Sequence, residues 1–350
     1  MTRIIPRTFD TILPGVLPQV PDELIGSESR ARLEAVASRL PAILAGSTFG
    51  FECLLGNDSP EADFLVCISG ANGATLLSDT AAYARQNDSA PVWSSIAALA
   101  ELWANKRSIE NVWFEFDVTG DNSFVPNLFF QPAYAVNNHD ELQDIVSEAG
   151  PALLGQPISE KLATSWQCCV NALPERARVF QVGAMRARPI YGLRLCVDEI
   201  YLDRILFYLD QIAYPGDLDF VRKTFISLQR RVDAYALHLD LLPDVDVRIG
   251  LECYLDPRAA EARQRIEQLL NFLVAAGVCS KSKAFGIAQY PGTADVEQYS
   301  AQWPEGLRRM SGFLRRVSTF QRRLHHIKLT FGATKSLEAK AYLAVNHCWQ

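Results

Sequence analysis

From residue 27 onward the spacing of apolar positions alternates between a helical period and a strand period. Helical spacing over 27–45 gives way to strand-like alternation in STFGFECLLG and ADFLVCIS around the turn-like NDSPEA. The same change recurs along the chain. Helical patterns near 75–84 and 90–106 precede ENVWFEFDV and FVPNLFFQP, which flank the turn TGDNS. Helices near 139–149 and 158–172 precede RVFQVGAMR and IYGLRLCVD, and helices at 199–212 and 217–231 precede AYALHLDL and VRIGLECYLD around LPDVD. Helices near 258–276 and 303–322 lead into HHIKLTFG and SLEAKAYLAV. Residues 1–26, punctuated by Pro6, Pro14, Pro18 and Pro21, predict an extended arm.

The pattern amounts to about five helix-helix-strand-strand units, with GFECLL at 50–55 echoed by GLECYL at 250–255. Strands joined by short turns pair antiparallel, because a parallel crossover needs a dozen or more residues. About ten such strands, with helices between the pairs, predict an α+β fold: a closed antiparallel barrel surrounded by helices. An open α+β sandwich is the alternative. No linker breaks the rhythm, so 27–350 is expected to form a single barrel domain behind the arm 1–26.

Alternation splits each strand into two faces. Val112, Phe114, Phe116 and Val118 oppose Trp113, Glu115 and Asp117; Ile249, Leu251 and Cys253 oppose Arg248, Gly250, Glu252 and Tyr254. Arg194 and Cys196 oppose Leu193, Leu195 and Val197, His326 and Lys328 oppose Ile327 and Leu329, and Lys340 and Tyr342 oppose Ala339 and Ala341. If helices cover the apolar faces, the acids, bases and aromatics point into the barrel, where a buried charge needs water, a ligand or a partner. The alternative is an open sheet whose polar face is simply solvated.

Composition narrows the function. The 350 residues are 49% hydrophobic, enough for a large core, and the net charge of −6 argues against nucleic-acid binding. No apolar run approaches the roughly 18 residues of a membrane span, and MTRIIPRTFD lacks a signal-peptide apolar region. A cytoplasmic protein without a membrane partner is expected. The eight cysteines show no CxxC spacing and read as reduced core thiols. GxSxG, HExxH, Walker A, GxGxxG and DDxxD are absent, so neither cofactor nor metal is expected. His325 and His326 are adjacent, and on a regular strand only one of them faces the lumen. The basic run RRMSGFLRRVSTFQRRLHH reads as the solvated side of a helix.

These features resemble the aromatic prenyltransferase barrel, the ABBA fold, and most nearly its dimethylallyltryptophan synthase branch. Glu52 in STFGFE matches the strand-one carboxylate, NLFFQP at 127–132 looks like the Lys-x-Tyr-Phe-x-Pro segment, and Lys340-Ala341-Tyr342 is similar to the recurrent Lys-x-Tyr signature. The resemblance implies that an indole or Trp-peptide acceptor meets a prenyl diphosphate in the lumen. Glu52 would be the catalytic base that accepts the indole N–H proton. Arg194, Arg248, Lys328 and Lys340 would hold diphosphate, with Tyr254, Tyr342 and Trp113 flanking the allylic cation. The diphosphate set is depleted, since Asn127, Phe129, Gly192, Cys196 and Glu252 stand where bases or tyrosines are expected and ADFLVCIS supplies no Arg. The alternative is a repurposed barrel without diphosphate use. In that case Glu52, Glu115, Asp117, Asp240 and Glu252 would do acid–base cyclisation or isomerisation, or bind a peptide or cationic ligand.

Overall fold

The computed structural model describes residues 8–350 except 107, 119–123, 135, 137, 189 and 334, so the start of the arm and the TGDNS turn lie outside the described residues. Helix α1 (Ser27–Ala37) leads to β1 (Phe49–Leu54) and β2 (Ala62–Ser69). Helices α2 (Gly73–Asn87) and α3 (Val92–Lys106) precede β3 (Ile109–Phe116) and β4 (Asn127–Pro132). Helices α4 (His139–Leu154) and α5 (Glu160–Asn171) precede β5 (Arg178–Ala184) and β6 (Leu193–Asp198). Helices α6 (Leu202–Gln211) and α7 (Leu218–Leu228) precede β7 (Ala234–Leu242) and β8 (Asp244–Tyr254). The last unit comprises α8 (Ala262–Ala275), α9 (Lys281–Gln289), β9 (Gly292–Asp295), α10 (Glu305–Leu314), β10 (Ser318–Phe331) and β11 (Leu337–Trp349).

Ten of these strands close a barrel in the order β1 to β8, β10, β11 and back to β1, every neighbour antiparallel, and β9 adds to the outer half of β10. The open sandwich is therefore excluded. Closure leaves no free edge among the ten. The outward sets predicted by alternation, such as Val112, Phe114, Phe116, Leu195, Leu251, Leu329 and Ala341, are buried in the core shared with the surrounding helices. Each such Val, Leu or Phe side chain contributes roughly 1.5–3 kcal/mol. That shell of core leaves the polar faces on the inside.

Three local expectations fail. Residues 9–19 are not extended: they form three 3₁₀ turns at Phe9–Thr11, Leu13–Gly15 and Leu17–Gln19, two of them started by Pro14 and Pro18. Phe9 packs edge-on against Phe49 at 5.0 Å and Phe64 at 5.3 Å, so this segment is part of the core. The expected helix 303–322 stops at Leu314, where Arg315 takes a left-handed φ of 53°, and Ser318 already starts β10. The β-branched Val317 and Thr319, followed by Phe320, favour strand over helix there. The third case is the histidine pair. A bulge between Leu324 and His326 breaks the alternation of β10, and both His325 and His326 line the lumen.

Candidate active site in the barrel lumen

The lumen is a cavity of about 960 Å³ that opens at the end where β6 and β8 finish and β10 begins. A smaller chamber of about 120 Å³ lies toward the other end, and Glu115, Arg194, His238, Lys328 and Tyr342 line both. The walls of the larger cavity are aromatic: Trp113, Phe129, Phe180, Tyr254, His326 and Tyr342. Cross-strand register sets their contacts. Trp113 lies opposite Phe129, and His326 opposite Tyr342, whose rings stack at 4.2 Å. Gly183, opposite Phe129, makes room for that ring, since a Cβ there would sit 1.9 Å from it.

The same register pairs the charges. Arg194 faces Asp240 and grips it with two hydrogen bonds of 2.6 and 2.9 Å. Glu52 lies between Tyr342 and Asp63, and Lys340, two residues from Tyr342, donates to it. Burial would raise the Glu52 carboxyl, but the Lys340 ammonium beside it and the Tyr342 hydroxyl hold it down at about 2. Lys328 lies between Glu252 and Lys340 in the ladder, yet its Nζ reaches across β8 to His238 Nδ1 at 2.8 Å. Gly250 opens that path: a Cβ there would be 2.7 Å from Lys328 Cε. Because the ammonium donates to Nδ1, the proton of neutral His238 is assigned to Nε2, 2.8 Å from Glu252 Oε1. Burial, reinforced by Lys328, pushes His238 down to about 4, so the ring is neutral at pH 7. Burial and then Arg194 also lower Lys328. Glu252 is held well below the usual range: burial opposes its ionisation, but His238, His326 and the Tyr254 hydroxyl surround it.

Glu115 is different. Among the described residues it has no hydrogen-bond or ion-pair partner, although it lines both chambers. Burial and then the Glu52 charge raise it to about 7, against the pull of Lys328, Arg194 and Lys340. Asp63 is raised to about 7 by burial, Glu52 and Asp117, and accepts the Val118 N–H at 2.9 Å.

The structure thus brings together Glu52, Trp113, Glu115, Arg194, Glu252, Tyr254, Lys328, Lys340 and Tyr342. Two expected residues do not join them. Arg248 sits at the outer edge of the small chamber, about half exposed (48%), paired with Glu338 at 2.8 Å. The outer half of β8 carries it past the lumen toward solvent. Asp117 is taken up by Arg188 (2.8 and 3.2 Å) and Asn127 (3.0 Å). Asp63, Arg188 and the rim pair Arg178–Asp198 (3.2 and 2.7 Å) escaped the sequence reading. The alternation of Asp63, Leu65 and Cys67 against Phe64, Val66 and Ile68 would have revealed Asp63. Arg188 lies in the loop after β5, where no period signals it. All eight cysteines are free thiols, and no cluster of three or more His, Cys, Asp or Glu suited to a metal occurs among the described residues.

Glu115 makes stability depend on pH in a defined direction. The folded chain keeps its proton up to about pH 7, whereas an unperturbed glutamate loses it near 4.5. The folded state therefore binds more protons in that window, and stability falls as pH rises through it. His238 and His325, both held near 4 in the fold against 6.5 in the unfolded chain, act oppositely and remove stability as pH falls from 6.5 to 4. Comparison with Glu115→Gln isolates the carboxyl. The variant is expected to match the parent at pH 4 and to exceed its stability by about 1–3 kcal/mol at pH 8. Urea unfolding across that range measures the difference, and an offset independent of pH would refute the assignment.

No protein-family model matches this chain, and no curated protein does. Among solved structures, the chain is similar to 5-dimethylallyltryptophan synthase from Streptomyces coelicolor. The likeness covers 96% of this chain and 97% of that one, at 12% sequence identity and a TM-score of 0.50. With its closed ten-stranded antiparallel barrel ringed by paired helices, this chain has the ABBA fold.

Proposed function

We propose that the protein transfers an allylic group from a prenyl diphosphate to an electron-rich aromatic ring, indole or a Trp-containing peptide, inside the lumen. One observation carries this reading: an aromatic-walled cavity of about 960 Å³ meets the cations Arg194 and Lys328 and leads to the ionised Glu52. In the proposed reaction the allylic C–O bond breaks, and its electron pair leaves on the diphosphate, whose charge Lys328 and Arg194 offset. The faces of Tyr254, Tyr342 and Trp113 shield the cation from water and stabilise it. Glu52 accepts a hydrogen bond from the indole N–H and raises electron density on the ring. The ring carbon then forms the new C–C bond, and the proton it sheds passes to Glu115, the lumen carboxyl that titrates near neutrality. Incubation with dimethylallyl diphosphate and indole, tryptophan or Trp-peptides is expected to give acceptors heavier by one prenyl group, with matching diphosphate release. Absence of both products across donors of increasing chain length would reject the reading.

A second reading has its own support. Arg194 is bound by Asp240, Lys340 by Glu52 and Arg188 by Asp117, which leaves little positive potential for a diphosphate. A barrel of this kind would instead use Glu115 and the Lys328–His238–Glu252 chain for proton transfer in a cyclisation or isomerisation. The two readings part on diphosphate binding.

A further inference from the structure

Helix α10 is the part of the surface that neither reading uses. Met310, Phe313 and Leu314 follow the i, i+3, i+4 spacing of one helical face, and they are 44%, 81% and 41% exposed. No residue of the helix is buried. Arg309 borders this stripe on one side and Arg315 and Arg316 follow its C-terminal end, all exposed, and of these only Arg309 is ion-paired, to Glu305, among the described residues. A local basic cluster in a chain of net charge −6 is complementary to an anionic surface, while the acidic remainder would be repelled from it.

We infer that α10 docks on an anionic phospholipid surface, with Met310, Phe313 and Leu314 in the headgroup boundary and the arginines against lipid phosphates. Three apolar side chains on a projecting ten-residue helix are too few for a stable protein interface, which needs about 800 Å² from each partner. They suffice for a helix lying in the plane of a bilayer surface when charge adds to the attraction. No helix among the described residues is long and apolar enough to cross a membrane, so the contact is superficial. Its place in the fold gives it a consequence. α10 runs directly into β10, whose start pairs with the end of β11 on the side where the large cavity opens. Docking therefore brings the open end of the barrel toward the lipid.

Co-sedimentation of the full chain with vesicles tests the inference independently of any transferase activity. Binding is expected to vesicles of phosphatidylcholine mixed with phosphatidylglycerol and not to phosphatidylcholine alone, and to weaken as salt is added. M310D/F313D, at exposed positions, is expected to melt like the parent and to lose about tenfold or more in vesicle affinity. Replacing Arg309, Arg315 and Arg316 with Gln is expected to flatten the salt dependence. No binding to the anionic vesicles, equal binding to neutral ones, or unchanged binding by M310D/F313D would overturn the proposal. So would a parent dimer that M310D/F313D converts to monomer without any vesicle affinity, which would assign the stripe to a second copy of the chain.

Discussion

Glu52→Gln is expected to lower turnover by about 10²–10⁴-fold, the range lost when a positioned base is removed. The same change is expected to destabilise the fold. Glu52 and Lys340 share a largely enclosed ion pair, with side chains 8% and 20% exposed. Glutamine leaves the ammonium without its counter-charge, and breaking a buried pair from one side costs on the order of 3–5 kcal/mol. The exposure of Lys340 puts the expectation at the lower end. A second substitution separates the two effects. E52Q/K340M removes the orphaned charge and is expected to regain most of the stability, because an apolar stem then fills the same space, but none of the rate. Thermal unfolding and single-turnover prenylation of parent, single and double variants measure both quantities. A folded E52Q that turns over at the parent rate would remove Glu52 from the chemistry.

That pair also marks how far the sequence could be read. The barrel was legible because period-2 strands and helical stretches alternate in register, and a closed sheet under helices is the arrangement that buries every apolar face. The same alternation points Glu115, Arg194, Lys328, Lys340 and Tyr342 inward, whereas Glu52 is singled out by the resemblance of STFGFE to the strand-one carboxylate segment. The pairing was not legible. Which lysine meets which carboxylate depends on the strand register that sets Glu52 beside Tyr342 and Lys328 beside Lys340, and composition along one strand does not encode it. Irregularities were equally hidden. The bulge at Leu324/His326 turns both His325 and His326 inward, against the alternation rule. The N-terminal segment failed for another reason: proline fixes φ near a value that suits 3₁₀ turns as well as extended chain, and the buried Phe9, Leu13 and Leu17 decide between them.

Lys328→Met is expected to abolish or severely weaken binding of the donor, by on the order of 10–100-fold in affinity, the worth of a hydrogen bond to a charged group. Arg194 and Lys340 already hold carboxylates, so an incoming diphosphate must compete with Asp240 and Glu52 for them. Lys328 holds a neutral imidazole instead, and it is the lumen cation with most to gain from an anion. Burial and the nearby Arg194 depress its pKa, and a bound diphosphate would reverse that depression. R194Q/D240N provides the contrast, since it deletes a pair without altering net charge and is expected to cost far less affinity. K328M itself should fold, because a methionine of similar length replaces a buried ammonium that has no carboxylate bound to it. Calorimetry with a thiolodiphosphate analogue of the allylic donor reads all three proteins. Equal affinity of parent and K328M would move the diphosphate site elsewhere in the lumen. No heat and no thermal protection in the parent would end the transferase reading and leave proton transfer through Glu115 and the Lys328–His238–Glu252 chain as the chemistry of this barrel.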